Sequence, residues 1–442
     1  MIHSSLRMLE VLIDINKSFK LSSQYEILNS RGESVNKLYN NFLKANSLLE
    51  GRVSIYLDFL RGLAAILVLM EHLGSRLFLG YGYLQNPTVI IKLLYLLNLL
   101  GGPSVIVFFV LSGLFISRSV LKSIVDNKWS WKSYLVNRLS RLYVVLIPAL
   151  CLTLIADKLA SYYFDYSKYS DNYTNIKEFV GNLFYLQNIY VGNYGSNGPL
   201  WSLGYEFWYY MLFPIIILLL RNQKKILKVA YLFTALTVIF LIGQRMSYYF
   251  LIWLVGMLVL LLPATSRAKN KFIMTTSFLL VCLAMFMRPL INNGRLFVEH
   301  HTNNLFIIDF FIGLSLGLLI YILIHGTAAQ KAKTENKNKW FEKTSKLVAS
   351  FSFSLYLIHY PIINFVYYWA SKNGFNGLQP NLLSVLIEIL IIALMCTIAF
   401  MFSRITEVRT NVVRAMIMNI LERFNYNHQK TKVMKMENNL SK

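Results

Sequence analysis

Apolar residues in this chain run in long blocks rather than alternating or marking a single stripe. Ten blocks stand out, at about 57–78, 99–118, 134–156, 200–220, 226–243, 247–263, 272–290, 304–325, 347–370 and 381–403. Each approaches the roughly 20 residues that a helix needs to cross the hydrocarbon of a bilayer. In lipid no water satisfies the backbone, so such blocks read as helices that pair their own polar groups. The pattern predicts an all-α fold, a polytopic transmembrane helical bundle of about 10 transmembrane helices.

The flanks break the pattern and divide the chain. Residues 1–54 are a mixed polar N-terminal extension, in which "LRMLEVLID" has the apolar spacing of a short surface helix. That stretch is too short and too acidic for a signal peptide, and no small-residue cleavage site follows it. Residues 55–405 form the membrane domain, and 406–442 a basic tail of part helix and part disorder. Residues 326–346 are a basic linker. The loop 157–199 holds eight tyrosines and the turn-rich "VGNYGSNGP", and its "IKEFVGNLFYLQNIY" is expected to dip back into the interface.

Composition agrees, with 56% hydrophobic and only 15% charged residues, where a soluble domain carries about 25% charged. A net charge of +23 would suggest nucleic acid in a soluble protein, but its distribution argues otherwise. The linker 326–346 carries six lysines, whereas 244–246 carries only Arg245 and 371–380 only Lys372. The long loop 157–199 offsets its lysines with Asp157, Asp165, Asp171 and Glu178. Basic loops stay in the cytoplasm, so both termini are expected to be cytoplasmic, facing anionic membrane lipid, and no nucleic acid partner is expected. Cys151, Cys282 and Cys396 lie inside apolar blocks without ligand spacing, which reads as packing. No metal is expected.

Against this background the ionisable residues inside apolar blocks carry the chemistry. In "YLDFLRGLAAILVLMEHLG", Arg61 and His72 project from nearly one face, roughly 16 Å apart along the axis. Asp58 is placed to pair with Arg61, while Glu71 points about 100° away from His72. Charged groups in a span face protein or a water-filled path, because lipid exposure costs about 2.5–3.5 kcal/mol for an Arg near the centre. In "NRLSRLYVVLIP", Arg138 and Arg141 are one turn apart at the expected start of a helix, a natural phosphate site. Glu206 is buried in "GPLWSLGYEFWYYMLFP", and "FSFSLYLIHYP" places Ser352, Ser354 and His359 in an apolar run. Ser112–Gly113 in "FFVLSGLFIS" by itself signals close helix packing.

These five motifs, in their order along the chain, resemble the acyltransferase-3 family, integral membrane acyltransferases that O-acylate sugars of surface polysaccharides. The resemblance covers about residues 55–405 and rests on Arg61 and His72 in Arg-x10-His, Arg138 and Arg141 in Arg-x-x-Arg, and Trp201, Ser202 and Glu206. Glu71, Val144 and Gly204 depart from the family pattern, and residues 1–50 have no counterpart in it. The resemblance implies an acyl-CoA donor, acetyl-CoA in the first instance, entering from the cytosol of the inner (plasma) membrane. It implies a carbohydrate or lipid-linked glycan acceptor on the other face. Arg138, Arg141 and Ser112 are placed on the donor, with His72 as general base or transient acyl carrier. Arg61 anchors the donor or balances charge, and Glu206 orients His72 or binds the acceptor. Two other classes compete. A transporter or flippase of a lipid-linked glycan would show repeats or paired broken helices, and a glycosyl or phosphoryl transferase an acidic metal site. Neither feature is visible in the sequence.

Overall fold

The structure is a computed structural model that describes residues 29–164, 173–222, 224–292, 302–327 and 339–423. The "LRMLEVLID" stretch and most of the basic linker and tail lie outside the described residues. The chain forms α1 (Asn29–Leu48), α2 (Arg52–Leu77), α3 (Val89–Leu97), α4 (Gly101–Val125), α5 (Trp131–Phe164) and α6 (Ile176–Leu183). It continues through α7 (Leu200–Arg221), α8 (Lys225–Leu261), α9 (Lys271–Asn292), α10 (Thr302–Thr327), α11 (Lys339–Lys372) and α12 (Leu382–Ile405). No strand element occurs among the described residues, as the apolar blocks predict.

Nine helical runs among the described residues are long and apolar enough to cross a membrane, against ten expected blocks. The difference lies in α8. Its 37 residues would reach about 55 Å if straight, nearly twice the hydrocarbon. The run breaks at Gly243, whose φ of 71° and ψ of 179° lie outside the helical region, a conformation glycine adopts without strain. The indole of Trp131 donates to Tyr231 near the first end of α8, and Asn41 donates to the Leu261 carbonyl at the other. Trp131 opens α5 and Asn41 lies in α1, both on the side carrying the basic loops. The two halves of α8 therefore double back on each other, and the nine runs among the described residues are consistent with a bundle of about ten spans.

Close packing relies on small residues. Gly113 of α4 lies against the Trp253 carbonyl of α8, and Gly256 of α8 against the Val110 carbonyl of α4, so a Cβ at either would meet backbone. That approach lets two apolar helices gain dispersion contact where lipid supplies no hydrophobic drive. Phe240, Ile226, Leu279 and Leu390 are exposed on the outside of the bundle, where lipid would lie.

Two prolines inside helices free carbonyls for the site. Proline cannot donate, and its ring crowds the carbonyl four residues back. Pro214 releases the Tyr210 carbonyl, which accepts from the Tyr134 hydroxyl at 2.8 Å. Pro361 releases the Leu357 carbonyl, which accepts from Asn197 at 2.9 Å. Asn197 belongs to the loop before α7, so this second bond ties the outer loop to the middle of α11. The same loop is folded by its own polar groups. Asn182 donates to the Gly192 carbonyl, Gln187 to the Leu200 carbonyl, and Ser196 N–H to Asp157 at 2.7 Å. Helix α6 exposes Ile176, Val180 and Phe184, in keeping with a segment lying at the interface.

Candidate active site

Two cavities lie beside α2: the first is enclosed by α2, α4, α5, α7 and α11, the second by α2, α3 and α9. The first holds about 110 Å3 and is lined by Arg61, Arg138, Arg141, Ser112, Glu206, Tyr210, Ser202 and Tyr356, among others. Its lining residues on α4 run from Val105 to Ile116, about 16 Å of helix axis. It is a narrow channel. The second holds about 730 Å3, lies nearer the opposite face, and is lined by Glu71, His72, Ser75, Tyr81, Lys92, Tyr95 and Asn98, among others.

The channel is rich in guanidinium. Arg61 pairs with Asp58 at 3.1 Å, as its spacing predicts. Arg138 donates to Ser119 at 2.8 Å and lies over the Tyr134 ring. The Nε groups of Arg61 and Arg138 are both buried without a hydrogen-bond partner, and an unmet buried donor carries a desolvation cost that an anionic ligand would relieve. The start of α5 differs from the expectation. It begins at Trp131, so Arg138 and Arg141 lie about 10 and 15 Å into the helix. The macrodipole fades within the first turn, and these residues can attract an anion only by their own charge. Glu407 lies within electrostatic reach of Arg141 and Arg61 and accepts from the Ser354 N–H at 2.8 Å.

Glu206 sits in the channel wall. It accepts a hydrogen bond from Ser112 at 2.8 Å and another from Tyr210. The Trp253 indole also donates to Ser112, at 3.2 Å. Ser112 thus both packs closely and belongs to the polar wall. The structure brings together Arg61, Arg138, Arg141, Ser112 and Glu206 from four helices. His72 stands apart from them: Glu206 is held by Ser112 and Tyr210, and His72 faces α11.

On α11 the His72 ring stacks on His359 with centroids 5.3 Å apart, and meets Tyr360 edge-on at 4.5 Å. His359 lies 6.0 Å from the Tyr356 ring. The Tyr356 hydroxyl is 2.6 Å from that of Ser202, and both line the channel. The wall between the cavities is therefore His72, His359, Tyr356 and Ser202. Glu71 accepts from the Gly102 N–H at 2.7 Å, satisfying an orphan donor in the first turn of α4. That contact puts the start of α4 at the level of Glu71, and Val105, at the channel's outer end, about one turn below it.

Tyr210 and Tyr356 escaped the sequence reading, although each had a helical cue: Tyr210 is four residues after Glu206, and Tyr356 three before His359. Glu407 had none, because it reaches Ser354 only through the fold.

The acyltransferase domain model of the acyltransferase-3 family matches residues 54–404. The chain belongs to this family. Among curated proteins, an uncharacterized protein of Haemophilus influenzae (strain ATCC 51907 / DSM 11121 / KW20 / Rd) is 27% identical over 132 residues, covering 29% of this chain and 54% of the relative. An O-acetyl transferase of Shigella phage Sf6 is 26% identical over 211 residues, covering 45% of this chain and 56% of the relative. The chain spans about half the length of the curated relatives it matches. No solved structure matches it. For an acyltransferase-3 protein, the geometry offers an arginine-lined channel and an imidazole-bearing cavity meeting at one wall.

Proposed function

We propose that this protein is a membrane O-acyltransferase that moves an acyl group, acetyl in the first instance, from acyl-CoA to a hydroxyl of a surface polysaccharide or lipid-linked sugar. The observation that carries the reading is the pair of cavities beside α2 with His72 at their boundary. In this reading acyl-CoA enters from the basic, cytoplasmic face of the plasma membrane. Arg138 and Arg141 hold its phosphates at the inner mouth, with Arg61 balancing their charge. A channel of about 110 Å3 and about 16 Å length suits the slender pantetheine arm, not the whole nucleotide, which stays at the mouth. The thioester then lies near Ser202 and Tyr356. The acceptor sugar occupies the wider outer cavity, and His72 removes the proton of the attacking hydroxyl as a general base. Glu206 holds the Ser112 and Tyr210 hydroxyls in the channel wall.

The test uses membranes carrying the protein and acetyl-CoA labelled in the acetyl group. Label should appear in glycan with the wild type and not with His72→Ala. A transporter would leave the glycan unlabelled in both. Orientation is checked by cysteine labelling from intact cells in a background lacking Cys151, Cys282 and Cys396. A Ser170→Cys protein should react and a Lys337→Cys protein should not; the reverse would overturn the direction of transfer.

A further inference from the structure

The wall between the cavities contains a second imidazole with an unusual hydrogen-bond balance. His359 is 1% exposed. Its Nδ1 lies 2.9 Å from the Leu355 carbonyl. A carbonyl can only accept, so Nδ1 carries the proton and Nε2 presents a lone pair. That Nε2 is buried without a partner, a cost that a purely structural histidine has no reason to bear. One side of the ring stacks on His72, which lines the outer cavity. The Tyr356 ring lies 6.0 Å from the same ring, and the Tyr356 hydroxyl contacts Ser202 in the channel. The ionisable groups around this row are Arg76 and Glu71 of α2, Tyr360 of α11 and Glu206 of α7. Arg76 is itself directed at Asn364 and Tyr360.

Acyl transfer, the reading on which this inference rests, creates a proton at one end of the row and a demand for it at the other. The acceptor oxygen bonds to the thioester carbonyl carbon. The carbon–sulfur bond breaks with its electron pair on sulfur. The hydroxyl proton is then on His72 in the outer cavity, while the thiolate is in the channel. We propose that His359 is a relay whose Nε2, the ring nitrogen not engaged by the Leu355 carbonyl, turns between its two neighbours: it takes this proton from His72 and gives the same proton up toward the leaving thiolate. Tyr356 receives the proton and passes its own to Ser202, and Ser202 passes its own to sulfur, so each hydroxyl ends as it began. His359 touches neither substrate and acts through its neighbours.

The test compares wild type with His359→Gln in inverted membrane vesicles, following labelled acetyl from acetyl-CoA into the vesicles' own glycan as pH is varied. A thiol titrates near pH 8.5, so above that pH the thiolate can leave without a proton. His359→Gln should transfer about a hundred-fold slower than wild type at pH 6.5, the range of a lost acid–base contribution. The gap should narrow to within about tenfold by pH 9.5, where the leaving group no longer needs the proton. A variant equally slow at every pH, or as fast as wild type throughout, overturns the relay. His359→Phe, which keeps a ring of similar size, must show the same pH-dependent gap. A wild type that transfers no label overturns the acyltransferase reading and the relay with it, whereas a working wild type with a flat variant profile overturns the relay alone.

Discussion

The inner channel and the outer cavity share one wall and differ in almost every other respect. The channel, at about 110 Å3, is lined by three arginines, three carboxylates lie at or near it, and two of its guanidinium nitrogens have no partner. The outer cavity is nearly seven times larger, at about 730 Å3, and is lined by tyrosine, asparagine, serine and histidine side chains, one lysine, the Glu71 carboxylate and several apolar residues. A narrow passage lined by guanidinium groups suits a slender anion; a wide cavity with many hydrogen-bonding groups suits a hydroxylated ring. The contrast teaches that two cavities of unlike size and charge can be kept apart inside one bundle. What joins them is a wall of two imidazoles and two hydroxyls.

The sharpest way to break the comparison is at His72. His72→Ala should lower transfer by about 10²–10⁴-fold, the span of general acid–base contributions, while membrane abundance stays near normal by immunoblot. Substantial remaining activity would make the residue structural. Next comes Arg141, whose effect should stay on the channel side. Each charge-assisted contact is worth about 1.5–3 kcal/mol, so Arg141→Ala should raise KM for acyl-CoA about ten- to a hundred-fold. The value of kcat should change little if the contact is equal in ground and transition states. Arg141→Lys should recover only part, because an ammonium lacks the planar fork. Steady-state kinetics varying each substrate in turn decides it: a shift in the acceptor KM would erase the distinction between the cavities.

The wall itself can be probed through the bond between Asn197 and Leu357. Asn197→Ala leaves a buried carbonyl unmet and should cost about 1–3 kcal/mol, read as a lower Tm in detergent. In a Pro361→Ala background the restored N–H at position 361 can satisfy Leu357, so the same substitution should cost less. Additive losses would show that the proline has no part in exposing that carbonyl. The smallest expected effect is at Glu71. Glu71→Gln keeps an acceptor for the Gly102 N–H and loses the charge at a helix N-terminus, worth about 0.3–1 kcal/mol. The acceptor KM should move by less than about fivefold and KM for acyl-CoA not at all.

Much of this was legible in one dimension. The apolar blocks gave the crossings, including both halves of α8, because a backbone in lipid has only one economical way to pair its polar groups. The spacing of Asp58 and Arg61 forecast their ion pair, and the angular offset of Glu71 forecast that it would turn away from His72. The start of α5 lies three residues ahead of the expected 134, because Lys132 and Ser133 interrupt the apolar count, yet they are helical. The difference removes the helix end from the phosphate argument.

Periodicity fixes which face of a helix a residue occupies and is silent about what that face meets. Arg61 and His72 share a face by their spacing, yet one lines the channel and the other the outer cavity, because α4, α7 and α11 close between them. Arg76 finds Asn364 across 288 residues of sequence, and His72 finds His359 by the same packing of α2 on α11. The sequence by itself determined the apolar helical segments and the stock of ionisable groups among them, since both follow from local hydropathy and the cost of charge in lipid. Only the tertiary structure decided that Glu206 belongs with the arginines rather than with His72, and that the two imidazoles touch. Such choices depend on contacts between helices distant in sequence, which no local pattern records.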